Sequence, residues 1–379
     1  MSTKPFGPSV DRRQFIRIAG SVAATAIISP LFSRPAWAAD PFEDLVAKAK
    51  SAGENRVVMA GGTGAYVDMV NKYFYEPFTK ATGISVENVG GSYGDRIAKL
   101  MAMKKLGTVQ WDMISTSADY LTPTITPMLR DLNSCRLVPE VLRNGVPGSC
   151  LGRAVTFDMG AAVLAYDTRK FPGGGPQNWV DFWNTKRFPG PRAMPNFGVP
   201  WWPMIAALLA DGVPSDRLFP LDMDRAFRKL DVIKPDVTVW WNSGDQSQQV
   251  FRNGEVVMGM MLSGRVARLQ EQGLPLKTIW NGAPLDSSVW AAVNGGPHPN
   301  ATLALLDFIY TRPEAHAQYM RASKAATAMQ PALVYLTPAE KERLAVSPSN
   351  WSQVVRIDPN WLAKYGATAQ ERWVNWIGA

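Results

Sequence analysis

The sequence predicts an α/β fold in two lobes, and three observations carry that prediction. Between residues 56 and 117 buried strands and amphipathic helices alternate as β-α-β-α-β, a pattern that implies a parallel sheet with right-handed crossovers. Beyond the first 38 residues, which carry an export signature, 341 residues remain, more than a single core ordinarily serves. Hydrophobic residues make up 46% of the chain, enough to fill two cores.

The export signature is Asp11-Arg12-Arg13-Gln14-Phe15-Ile16-Arg17, an apolar run from Ile18 to Phe32 and the small-residue exit Ala36-Trp37-Ala38. A charged start, a short apolar middle and small residues before the cut are what a translocase and a signal peptidase read, and the pair Arg12-Arg13 is of twin-arginine type. The run is too short for a membrane span of about 20 residues. The leader is expected to pass through the twin-arginine translocase and to be cleaved near Ala38, releasing a periplasmic protein. Its loss removes five cations and one acid, so the mature chain keeps about half of the formal charge of +8.

The elements follow in order. A helix from Pro41 to Ala52 leads into a strand at Arg56–Ala60, broken by Gly61-Gly62-Thr63-Gly64. Val67, Val70, Phe74 and Phe78 then fall on one helical face, with Gly83 as the stop. A second strand, Ile84–Val89, ends in Gly90-Gly91-Ser92; a helix runs from Tyr93 to Lys105; and a third strand at Asp112–Ile114 ends in Ser115-Thr116-Ser117. Farther on come a long strand at Ala161–Tyr166, a helix capped by Asn178, a strand at Glu255–Leu262, a helix at Gly264–Gln272 stopped by Gly273, and an apolar helix at Ala301–Tyr310.

Sheets of this kind bind ligands beyond the carboxyl ends of their strands. All three early strand ends carry Gly, Ser or Thr, which let a ligand approach the backbone and donate hydrogen bonds to it. They are equally the residues that tight turns favour. Gly61-Gly62-Thr63-Gly64 is not a dinucleotide loop, since Val67 stands where the third glycine belongs.

Several chemistries lack a carrier. The charges are scattered, with no run of five or six of like sign, which argues against a nucleic-acid partner. His298 and His316 stand in no metal or nucleophile spacing and are expected at the surface. Cys135 and Cys150 fit one disulfide in an exported chain, or two buried thiols. No metal, cofactor or catalytic residue is expected, although the export route keeps a periplasmic enzyme as an alternative.

Several segments together resemble the periplasmic substrate-binding proteins of ABC importers, of the spermidine/putrescine type. They are Tyr75-Glu76-Pro77-Phe78-Thr79-Lys80-Ala81-Thr82-Gly83-Ile84, Gly160 to Tyr166, Trp179-Val180-Asp181-Phe182-Trp183 with Phe188-Pro189-Gly190, Trp240-Trp241-Asn242-Ser243-Gly244, and Asn253 to Met260. The resemblance implies a type II binding-protein fold, each lobe a mainly parallel sheet flanked by helices, with hinge strands between. It places one lobe at 39–155 with a return at about 290–325, and the other at 156–289 with 326–379. It implies a monomer that clamps a small polar solute between the lobes and hands it to an inner-membrane permease with a cytoplasmic ATPase.

Carried over residue by residue, the resemblance puts Thr63, Gly64, Tyr66, Ser92, Ser115, Thr116 and Ser117 on one wall of the cleft. Trp202, Trp241, Arg265, Asp286 and Trp290 fall on the facing wall or hinge, and Asp158 and Asp245 are further candidate acids. The polyamine-binding acids do not carry over: their positions fall near Trp201 and Trp202 and at Ser288, and an aromatic position falls on Leu262. A buried ammonium without a carboxylate costs several kcal/mol. A polyamine-like amine is therefore the family expectation, and a zwitterionic or anionic solute held through Arg265 is the alternative.

Overall fold

The computed structural model describes residues 41–379. The leader with Arg12, Arg13 and the exit at Ala38 lies outside the described residues. Among the described residues no helix is long and apolar enough to cross a membrane.

Ten strands build one curled, mixed sheet: β1 Arg56–Gly61, β2 Ser85–Gly90, β3 Met113–Ser117, β4 Val155–Asp167, β5 Arg192–Pro195, β6 Val237–Trp241, β7 Met258–Leu262, β8 Leu276–Ile279, β9 Leu285–Ala292 and β10 Ala326–Thr327. Their order is β2-β1-β3-β9-β4-β7-β5-β6, with β8 and β10 paired to β4. The expected parallel units are present at both ends, β2-β1-β3 and β7-β5-β6, and antiparallel pairs of β9 and β4 join them. This is the α/β architecture of two-lobed binding proteins, with strand β4 as the shared element. At about 3.3 Å per residue its 13 residues span roughly 40 Å, so one strand serves both halves. Val155–Ala161 pairs with β9, and Ala162–Asp167 with β7 and β8.

Local chemistry explains most boundaries. Gly83 and Gly107 end their helices in the left-handed conformation, and Ser92 with Asp95 forms a capping box that starts the helix Tyr93–Leu106. Asn178 caps its helix as its side chain predicts, accepting from the Asp181 backbone N–H at 2.9 Å. The single helix expected across Val67–Phe78 instead widens to a π-turn at Asn71–Tyr75. Pro77, which donates no hydrogen bond and crowds the carbonyl four residues back, stands two residues past the end of that turn.

Cys135 and Cys150 form a disulfide closing a loop of 15 residues. Chain entropy values such a closure at about 3 kcal/mol. A Cys135→Ser/Cys150→Ser variant is therefore expected to unfold at lower guanidinium concentration, with a slope equal to or steeper than the native one because the unfolded chain is freer to expand.

The surface expectation for the histidines is corrected. His316 is 1% exposed, packs against Phe74 and bonds the Ile309 carbonyl through Nε2 at 2.8 Å. It lies on the face of its helix that also buries Ala317, Tyr319 and Met320. His298 closes onto buried Asp112, with ring and backbone nitrogens at 2.9 and 2.6 Å from its carboxylate. Burial lowers the His316 pKa to about 4. The unfolded chain takes up this proton near pH 6.5 and the folded one near 4, so stability falls as pH drops through that window. His316→Gln is expected to show a smaller loss of melting temperature between pH 7 and pH 5 than the native chain.

Candidate functional site

The carboxyl ends of the parallel strands in both halves face one another across a cavity of about 820 Å³. From the first half come Gly62 and Thr63 after β1, Gly91 and Ser92 after β2, and Ser115 of β3. The opposite wall is Asn196-Phe197-Gly198 after β5, Asn242-Ser243-Gly244 after β6, and Leu262 with Arg265 at the end of β7. The loop after β5 is fixed by the Asn196 N–H, which donates to the Trp241 carbonyl at 2.7 Å.

The two walls touch. Tyr120 donates its hydroxyl hydrogen to the Gly198 carbonyl, and the Trp201 indole N–H donates to Asp119 at 2.7 Å. The backbones of Gly94 and Gly198 lie against each other, so that a Cβ on Gly198 would stand 2.6 Å from the Gly94 nitrogen. Burial pushes the Asp119 carboxyl up to about 7.

Charge in the cleft is divided. Arg96 is 3% exposed and donates to the backbone carbonyls of Ser92, Ala60 and Ser115, with no carboxylate within ion-pair distance among the described residues. Arg265 pairs with Asp245 at 2.9 Å. Behind the cleft a smaller recess of about 100 Å³ shares Tyr66, Tyr93, Leu262 and Arg265 with it and adds Asp158, Asp286, Arg268 and Tyr319. Burial raises the Asp158 carboxyl to about 6, against a 2.6 Å hydrogen bond donated by Tyr319. Burial, with Asp158 next, holds Asp286 well above the usual carboxylate range.

The sequence candidates therefore separate. Thr63, Tyr66, Ser92, Ser115 and Arg265 line the cleft, and Asp158 and Asp286 line its recess. Gly64 starts a helix against the Asp245 carboxylate. Thr116 is buried, and Ser117 is buried with its hydroxyl capping the turn at Asp119. Trp202, Trp241 and Trp290 are each fully buried and stand in the core: Trp241 donates to the Met260 carbonyl, and Trp290 stacks on Phe157 at 4.2 Å. Tryptophan fills cores as readily as clefts, and here packing takes all three.

Sequence reasoning missed Tyr93, Arg96, Asn196 and Arg268, together with the helix Pro359–Gly378, which brings Gln370 and Val374 to the cleft. Trp373 and Trp376 anchor that helix on Trp240, and the Trp373 indole donates to Asn196 at 2.9 Å. The Gly/Ser/Asn signature after β5 and β6 was a usable signal, the same one that marked β1 to β3.

Residues 74–334 match the family described as bacterial extracellular solute-binding protein. The chain belongs to that family. It is 29% identical over 336 residues to a gamma-aminobutyric acid-binding protein of Pseudomonas aeruginosa, covering 87% of this chain and 93% of that one. It also resembles MotA of A. tumefaciens B6 in complex with glucopine, with 28% identity, a TM-score of 0.77, and 85% and 99% of the two chains covered. Against AttC of Agrobacterium tumefaciens C58, in open unliganded conformation, identity rises to 34% over 86% and 100% of the chains, yet the TM-score falls to 0.61. The better superposition on the ligand-bound relative agrees with cleft walls that touch. The matched relatives are solute-binding proteins of ABC transporters, which bind and deliver rather than catalyse.

Proposed function

We propose that this chain is the periplasmic solute receptor of an ABC importer, and that its cargo is a small amino-acid-like zwitterion rather than a polyamine. The observation that carries this reading is the division of charge. Arg96 and Arg265 line the cleft with the hydroxyls and amides of the strand ends, while Asp158 and Asp286 stand together in the recess behind it, which Arg265 and Arg268 border. Arginines near hydroxyls and helix N-termini suit a carboxylate, and buried acids suit an ammonium group. A zwitterion brings one ammonium to the acids and its carboxylate to the cleft arginines, whereas a polyamine would bring further ammonium groups beside Arg96 and Arg265, with repulsion there. The ligands named for two relatives, gamma-aminobutyric acid and glucopine, support the same class.

Capture then works by closure. Contacts to both walls exist only when they meet, so the solute shifts the population toward the closed state that a permease recognises. A thermal-shift screen tests the reading, because a ligand confined to the native state adds about 2.7 kcal/mol at 100 times its Kd. Amino acids with separated charges are expected to raise the melting temperature at pH 7. A rise produced by diamines and polyamines alone would refute the proposal.

A further inference from the structure

We infer that the recess behind the cleft is the ammonium pocket of the bound solute and that it selects an unsubstituted primary amine. This assignment rests on the zwitterion reading above and gives it a direction: amine inward, carboxylate toward the cleft arginines.

Asp158 and Asp286 sit on adjacent antiparallel strands, where Asp158 pairs with Ser288 and Asp286 with Gly160. Two positions apart in register, they project from the same face as diagonal neighbours, roughly 7 Å apart. Asp158 already accepts the Tyr319 hydroxyl. Asp286 is 8% exposed, and its Oδ1 has no hydrogen-bond partner among the described residues although it lines the recess. A carboxylate so buried keeps its charge only if a cation arrives to share it.

The surrounding groups do not supply that cation. Arg265 pairs with Asp245 through one nitrogen and not with Asp286, Arg268 forms no ion pair among the described residues, and Arg96 is the last of the influences on the Asp286 proton. The remaining ionisable neighbours, Tyr66, Tyr93 and Tyr319, are phenols held neutral by burial. A primary ammonium carries three N–H donors, enough for Asp286, for the second oxygen of Asp158 and for one further acceptor. Each N-methyl group removes one donor. Without solute the two acids retain a proton, which an arriving ammonium displaces to the buffer.

The test is isothermal titration of the full mature chain and of Asp286→Asn and Asp158→Asn with gamma-aminobutyrate, 4-(methylamino)butyrate and 4-(trimethylammonio)butyrate. Titrations at pH 6 in buffers of different ionisation enthalpy count the protons released. The expected result is at least a 100-fold loss on trimethylation, a comparable loss in Asp286→Asn, and proton release by the native chain that Asp286→Asn lacks. The unliganded variants should melt no lower than the native protein, since a neutral amide replaces a buried acid. Binding of gamma-aminobutyrate that ignores both N-methylation and Asp286→Asn overturns this assignment alone. Binding of none of the three overturns the zwitterion reading and the assignment with it.

Discussion

Replacing Gly198 with alanine is expected to weaken solute binding by about 10- to 100-fold, on top of a stability loss of about 1–2 kcal/mol that the unliganded protein shares. Gly198 has φ +83°, where a side chain costs about 1–2 kcal/mol. Its added Cβ would meet the nitrogen and Cα of Gly94 at 2.6 and 2.9 Å, and backbone atoms cannot swing aside as a side chain would. That clash exists only while the walls touch. The open state is spared it, so the penalty falls on the closed state, and each 1.4 kcal/mol there costs tenfold in affinity. Calorimetry reads the affinity, and small-angle scattering at saturating solute should show a larger radius of gyration than for the native complex. Unchanged affinity in this variant would mean that closure along Gly94 and Gly198 is not part of capture.

The second large effect is structural. Arg192→Met is expected to lower stability by about 3 kcal/mol, enough to move the melting temperature by several degrees in a protein of this size. Arg192 is fully buried at the start of β5, donates to the carbonyls of Phe182, Gly190 and Phe188, and lies over the Phe182 ring at 5.5 Å. Methionine fills much of the space but leaves the two buried acceptors, the carbonyls of Phe182 and Phe188, unpaired, at about 1–3 kcal/mol each, offset in part by the removal of a buried charge that has no carboxylate partner. Because β5 carries the Asn196-Phe197-Gly198 wall, solute affinity should fall as well. Chemical denaturation of the variant and the native chain reads the first effect, and titration the second.

Much of this arrangement was legible in the chain before the structure. Strand ends announced themselves through Gly61-Gly62-Thr63, Gly90-Gly91-Ser92 and Ser115-Thr116-Ser117, because few residue types serve where a helix starts and a ligand approaches. Arg265, Asp158 and Asp286, singled out by asking which charges could answer a ligand, line the cleft and its recess. The tryptophans misled, because an indole stabilises a core and a cleft by the same contact, and only packing decides between them.

Arg96 escaped notice for the opposite reason. One turn into a capped helix, an arginine reads as a solvated residue, and its burial depends on carbonyls of β1 and β3 that no local pattern reveals. His316 stood on a visibly apolar face of its helix and could have been placed inside. The pairing of Asp158 with Asp286 depends on a register between strands more than a hundred residues apart, which alternation within either strand does not specify.

A family likeness set the fold and the role, while the proposal of a zwitterion rests on the side chains at the two ends of the site. The expectation of a polyamine followed from resemblance alone; the balance of Arg96, Arg265 and Arg268 against the acids of the recess points away from it.

Three four-carbon compounds isolate that claim, because they differ only in their end groups: gamma-aminobutyrate carries one charge of each sign, putrescine two positive charges and succinate two negative ones. Titrated calorimetrically into the mature chain at pH 7, gamma-aminobutyrate is predicted to bind one to one and at least tenfold more tightly than either of the others. Putrescine binding as tightly as gamma-aminobutyrate, or more tightly, would contradict the account.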